Sequence, residues 1–116
     1  MAIEWYSCSE CGKAVRTGDG SPYSNGCACA SSHNWHRLGE VGNENYGCEN
    51  CGLIIQTDSS PYSNGCSKAS SHNWHRLGEV GNESYSCSNC GAIVNTDGSP
   101  YSNGCPCGGS HNWHRL

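Results

Sequence analysis

The heptapeptide SHNWHRL stands at 32–38, at 71–77 and again at 110–116, which sets His33, His72 and His111 39 residues apart. The likeness reaches beyond the heptapeptide. Residues 6–38, 46–77 and 85–116 align throughout. The first copy reads YSCSECGKAVRTGDGSPYSNGCACASSHNWHRL and the third YSCSNCGAIVNTDGSPYSNGCPCGGSHNWHRL. The middle copy runs YGCENCGLIIQT, then Asp58, Ser59 and Ser60, then PYSNGCSKASSHNWHRL. The first copy has one extra residue, placed at Gly18 or Gly20. Between the copies run GEVGNEN (39–45) and GEVGNES (78–84), which are short, polar and glycine-containing. The chain therefore divides into 1–38, a first module; 39–77, a linker and second module; and 78–116, a linker and third module. A repeat of this length can signal a stacked solenoid. Stacking asks for apolar faces, however, and only 34% of the residues are hydrophobic, with no Phe. The first expectation is three small modules strung on short linkers. Recent duplication alone would also leave copies this similar.

A unit of about 32 residues, such as 46–77, cannot bury enough apolar surface to hold itself folded. Units this small are held by metal, disulfides or association. Cysteine is plentiful, 11 of 116 residues. The opening MAIEWYSCSEC lacks a basic stretch followed by an apolar run, so no signal peptide is expected and a reducing, cytoplasmic compartment is. Clustered cysteines there bind metal more often than they pair, and an odd count fits poorly with a complete disulfide set. No stretch approaches the length of a membrane helix.

Each module carries Cys-x-x-Cys-Gly: Cys8, Cys11 and Gly12; Cys48, Cys51 and Gly52; Cys87, Cys90 and Gly91. That spacing wraps two sulfurs round one tetrahedral ion, and the glycine permits the positive φ such a turn needs. The cysteine of Asn-Gly-Cys comes next: Cys27, Cys66 and Cys105. Cys29 and Cys107 follow in the first and third copies, but the second has Lys68 there. If the modules bind alike, the fourth ligand is a histidine. His33, His72 and His111 are favoured over His36, His75 and His114. In an extended segment a histidine shares a side with the tryptophan two residues on, and the pair can close a small site. Two alternatives stand: the later histidines as ligands, or Cys29 and Cys107 completing all-cysteine sites in the outer modules. The expected groups are Cys8, Cys11, Cys27, His33; Cys48, Cys51, Cys66, His72; and Cys87, Cys90, Cys105, His111. Three sulfurs and one imidazole suit zinc, one ion per module. Rubredoxin-like iron would want four cysteines, and haem a histidine after Cys-x-x-Cys.

KAVRT, LIIQT and AIVNT are short and β-branched and read as strands. The stretch DGSPYSNG, with its middle-copy counterpart from Asp58 to Gly65, is turn chemistry throughout. HNWHRL reads as a returning strand. Tyr6, Tyr46 and Tyr85, two residues before each first cysteine, are expected beside the metal. No amphipathic helix is evident. The expected fold is small, metal-stabilised and all-β, three tandem β-hairpin modules with little or no helix. The pattern CxxCG, about a dozen residues, GC and then SHxWxxL resembles a zinc ribbon (zinc β-ribbon). More narrowly, it is similar to short bacterial zinc-ribbon segments of unknown function, found alone or as tails on larger proteins. The resemblance covers all but residues 1–5 and the linkers. It implies zinc-ribbon-like modules and, since such segments usually keep the histidine of SHxW, His33, His72 and His111 as ligands. It implies no biological role.

No GxSxG, HExxH, P-loop or dinucleotide fingerprint occurs. Three cysteines and a histidine would fill a zinc shell, leaving no position for a reacting water, so no enzyme is expected. A cysteine nucleophile is disfavoured by three near-copies without an evident substrate pocket. The leading expectation is a structural zinc array used for protein binding or self-assembly, because repeated surfaces give avidity. Arg37, Arg76 and Arg115, with Tyr23, Tyr62 and Tyr101, are the candidate contacts. Nucleic-acid binding is the alternative, since arginine and aromatic side chains stack on bases. Six Lys/Arg against ten Asp/Glu is a poor match to it. Metal storage or sensing is a third reading, although thiol-only sites would hold more metal per residue.

Overall fold

The computed structural model describes residues 3–18, 20, 22–27, 31–69, 71–107 and 109–116. These form seven strands and no helix: β1 (Glu4–Cys8), β2 (Ala14–Thr17), β3 (Trp35–Cys48), β4 (Ile54–Thr57), β5 (Trp74–Cys87), β6 (Ile93–Thr96) and β7 (Trp113–Arg115). Accordingly, no helix among them is long and apolar enough to cross a membrane.

The β-branched runs become β2, β4 and β6, as their propensity dictates. Each pairs antiparallel with a strand that ends on the first cysteine of a knuckle: β1, the second half of β3, and the second half of β5. The SHNWHRL segment then returns along the other side of that strand. From Trp35, β3 pairs with β1; from Trp74, β5 pairs with the second half of β3; β7 pairs with the second half of β5. Every module is thus a three-stranded antiparallel unit with its cysteine-bearing strand in the centre.

The linkers depart from expectation. GEVGNEN and GEVGNES are strand, within β3 and β5, which run 14 residues each. The last strand of one module is the central strand of the next, and the sheet order is β2-β1-β3-β5-β6, with β4 on β3 and β7 on β5. At each handover the strand bulges: Val41 and Glu44 both face Thr57, and Val80 and Glu83 both face Thr96. Asp58 Oδ1 accepts the Asn43 amide at 3.2 Å, and Asp97 Oδ1 accepts that of Asn82 at 3.3 Å. A Cβ on Gly42 would sit 2.3 Å from the Asp58 nitrogen, and one on Gly81 the same distance from that of Asp97. These glycines serve close approach within a bulge, not a loose joint.

The modules consequently stack. The radius of gyration is 13.9 Å, near the ~13 Å of a compact domain of about 100 residues. Leu38, Ile55, Leu77 and Val94 are buried, as are Tyr6 and Tyr46, but the junctions are largely polar. At the first, Trp5 Nε1 donates to Gln56 O at 2.8 Å and the Tyr62 amide to Leu38 O at 2.9 Å. The Arg37 guanidinium lies 5.3 Å above the Tyr62 ring, and His36 covers Gly65, where a Cβ would come within 2.6 Å of the imidazole. The second junction repeats the set. Asn45 Nδ2 donates to Asn95 O at 2.9 Å, the Tyr101 amide donates to Leu77 O at 2.9 Å, Arg76 lies 5.5 Å above Tyr101, and His75 covers Gly104. Main-chain hydrogen bonds, cation–π contacts and imidazole–glycine contacts do the work that apolar faces were expected to do.

Candidate metal centre

Local backbone geometry builds each site. In the first knuckle the Gly12 amide donates to Cys8 O and the Cys8 amide to Lys13 O, both at 2.9 Å, with Gly12 at φ +80°. That turn aims the two sulfurs to one side. The return segment is fastened to it by the Ser9 amide donating to Asn34 O at 3.0 Å, and to the SPYSNGC loop by the His33 amide donating to Ser24 O at 2.7 Å. The same bonds recur in the other two modules. Trp35 stacks on His33 with ring centroids 4.5 Å apart, while its indole N–H donates to Tyr23 O at 2.8 Å. Trp74 and Trp113 treat His72 and His111, and Tyr62 O and Tyr101 O, in the same way. The tryptophan thus fixes the histidine ring and the loop carrying the third cysteine together.

The result is three groups, Cys8, Cys11, Cys27 and His33; Cys48, Cys51, Cys66 and His72; Cys87, Cys90, Cys105 and His111, whose donor atoms lie within 4.8 Å of one another. Nδ1 is the nitrogen facing the sulfurs, 3.6 Å from Cys11 Sγ, 3.5 Å from Cys51 Sγ and 3.6 Å from Cys90 Sγ. A tetrahedral ion with Zn–S of ~2.3 Å and Zn–N of ~2.0–2.1 Å would hold its sulfur and nitrogen ligands about 3.6 Å apart. The spacing fits such an ion.

The sites also favour negative sulfur. The Asn34, Asn73 and Asn112 amides point at Cys8, Cys48 and Cys87 Sγ at 3.4, 3.4 and 3.3 Å. Burial works against the Cys8 thiolate, yet the Cys11 and Asn34 amides, with His33 and Glu10, bring its pKa down to about 6. Cys87 reaches about 6 through Asn112 and His111, again against burial. Cys48 falls to about 3, chiefly because the Cys51 thiol donates to it. The second cysteines move the other way. Cys51 is raised by that same hydrogen bond and by burial, and burial above all pushes Cys90 up to about 12. For Cys11, burial and the neighbouring Cys8 and Cys27 sulfurs outweigh the Lys13 amide and raise it. Each centre therefore pairs a thiolate with a thiol that keeps its proton until a cation displaces it.

The alternative ligands among the described residues lie elsewhere. His36 and His75 sit on the glycines of the next module, and His75 Nε2 is 2.8 Å from Glu49 Oε1. His114 and Cys107 are exposed. Cys29 lies outside the described residues. One contributor had no sequence signal. Ser7, buried in β1, places Oγ 3.3 Å from His72 Nε2 and 3.4 Å from Gly65 O, so that with Nδ1 turned to the cysteines Nε2–H donates to the hydroxyl and the hydroxyl to the carbonyl. The first module thereby orients the histidine of the second.

Fold and site together define an all-β tandem-repeat protein with three Cys3His centres, each able to hold a metal ion. No protein-family model, curated protein or solved structure matches the chain.

Proposed function

We propose that the chain is a structural zinc protein of zinc-ribbon-like modules, in which three zinc ions hold a β-repeat array that presents a protein-binding or self-assembling surface. The observation that carries this reading is the threefold recurrence of a Cys3His group with sulfur-to-Nδ1 spacings of 3.5–3.6 Å. Four protein ligands complete a tetrahedral shell, which favours a structural over a catalytic ion. A reducing, cytoplasmic setting accords with it, since the thiols must stay free to bind. Nucleic-acid binding is less well supported. Arg37 and Arg76, which it would need, are held by Glu4 at 2.7 and 2.6 Å and by Glu44 at 2.9 and 3.2 Å.

Native mass spectrometry of the zinc-loaded chain tests the metal reading. Three zincs are expected, falling to two or to a weakened third in His72→Ala while His75→Ala keeps three. Three tight zincs in His72→Ala, or no metal and paired thiols in the parent chain, would overturn it.

A further inference from the structure

The two junctions inside the molecule are the same junction made twice, and each uses one face of a module against the opposite face of the next. The tail face offers a histidine, an arginine and a leucine carbonyl: His36, Arg37 and Leu38 at the first junction, His75, Arg76 and Leu77 at the second. The head face offers a tyrosine ring, that tyrosine's amide and a glycine with positive φ: Tyr62 and Gly65, then Tyr101 and Gly104. A further contact sets the knuckle glycine of one module, Gly12 or Gly52, beside Ser67 or Pro106 of the next.

Among the described residues one head and one tail are left uncovered. Tyr23 of the first module is 91% exposed, against 55% and 53% for Tyr62 and Tyr101. Nothing lies within 4 Å of a Cβ built at Gly26, or at Gly91 on the tail. The Arg115 side chain is 67% exposed, against 40% and 37% for Arg37 and Arg76, and Leu116 is 70% exposed where Leu38 and Leu77 are fully buried. The free tail is already set: Arg115 is 3.5 Å from Glu83, as Arg37 and Arg76 are held by their own glutamates. Ser86 occupies the place from which Ser7 reaches His72.

From this we infer that the chain binds a second copy of itself head to tail, the third module of one copy seating on the first module of the next. His114 covers Gly26, Arg115 stacks on Tyr23, the Tyr23 amide donates to Leu116 O, and Ser86 reaches His33 Nε2. The faces differ from one another, so the contact is heterologous, and it repeats from copy to copy as a row that grows until its ends meet. The inference deepens the self-assembly part of the proposed function and rests on its metal-held modules.

Sedimentation velocity of the full zinc-loaded chain under reductant tests it, with zinc counted in every sample. The parent chain is expected to gain mass with concentration beyond a dimer. Tyr23→Ala loses the head and His114→Ala with Arg115→Ala loses the tail. Each variant alone should stay monomeric with three zincs bound, and the two mixed should give a one-to-one dimer and nothing larger. A parent chain that remains monomeric with three zincs overturns the inference and leaves the metal reading standing. Growth that persists in either variant overturns it also, because the contact would then lie elsewhere. A chain that binds no zinc overturns both.

Discussion

Ser7 is 1% exposed, and among the described residues its hydroxyl finds its partners, Gly65 O and His72 Nε2, in the second module. An imidazole bound through Nδ1 is oriented by whatever its Nε2–H finds, and loss of such a partner typically weakens metal binding roughly 10–100-fold. Ser7→Ala should therefore lower zinc affinity at the middle site by about that factor and leave the other two unchanged, as read by site-resolved chelator competition. Equal affinity at the middle site would show that Trp74 alone suffices to orient His72. At this scale the make-up of the three Cys3His groups was legible and Ser7 was not. Lys68 removed the second loop cysteine from a common ligand set, and the two-residue step from His33 to Trp35 pointed to the earlier histidine. No local pattern links Ser7 to His72, because the partners are 65 residues apart and belong to different modules. His36 and His75 were obscure for the same reason, since what they cover is the glycine of a later repeat.

The hairpins could be read from β-branched runs and turn residues, because those preferences act within a few positions. The linkers could not. A glycine needed for a crowded bulge and a glycine needed for a flexible joint are the same letter, and only the position of Asp58 tells them apart. Gly42→Ala should force the bulge apart from the Asp58 backbone and destabilise the zinc-loaded chain by about 1–3 kcal/mol, the usual cost of overpacking. Gly98 is the comparison, since a Cβ there meets nothing within 4 Å, and Gly98→Ala should shift the denaturant midpoint little. Equal, small shifts for the two variants would mean that the handover between modules is as loose as its composition suggests. A larger shift for Gly42→Ala would mean that β3 passes through the junction as a working strand.

At the scale of the molecule, composition correctly excluded an ordinary core but misjudged what stacking requires. Polar contacts repeated at each junction, on strands shared between modules, replace the missing apolar faces, so the expectation of separate units gave way to an array in which stability depends on nearest neighbours. Shielding therefore differs along the chain. Cys27 and His33 are half-buried, whereas Cys66, His72, Cys105 and His111 are 1–7% exposed. Among the described residues a preceding module lies over the second and third sites and none lies over the first. Metal release needs access for the competing chelator and local opening of the module, and both are easier where no neighbour covers the loop. Under a modest excess of chelator, at a concentration where the chain is monomeric, the first module should lose its zinc and its amide chemical-shift dispersion before the other two. Acid should also act on the sites. In the metal-free chain Cys8 and Cys87, against the cost of burial, are held by their amide and imidazole partners at about 6, below the ordinary thiol value of 9.0. There the thiolate contribution is full above that ordinary value and is lost as pH falls through about 6, and a bound cation would move the loss to lower pH. Simultaneous release from all three sites would mean that the array unfolds as one cooperative body. Release from the first module ahead of the rest would show that each later site owes part of its hold on zinc to the module before it.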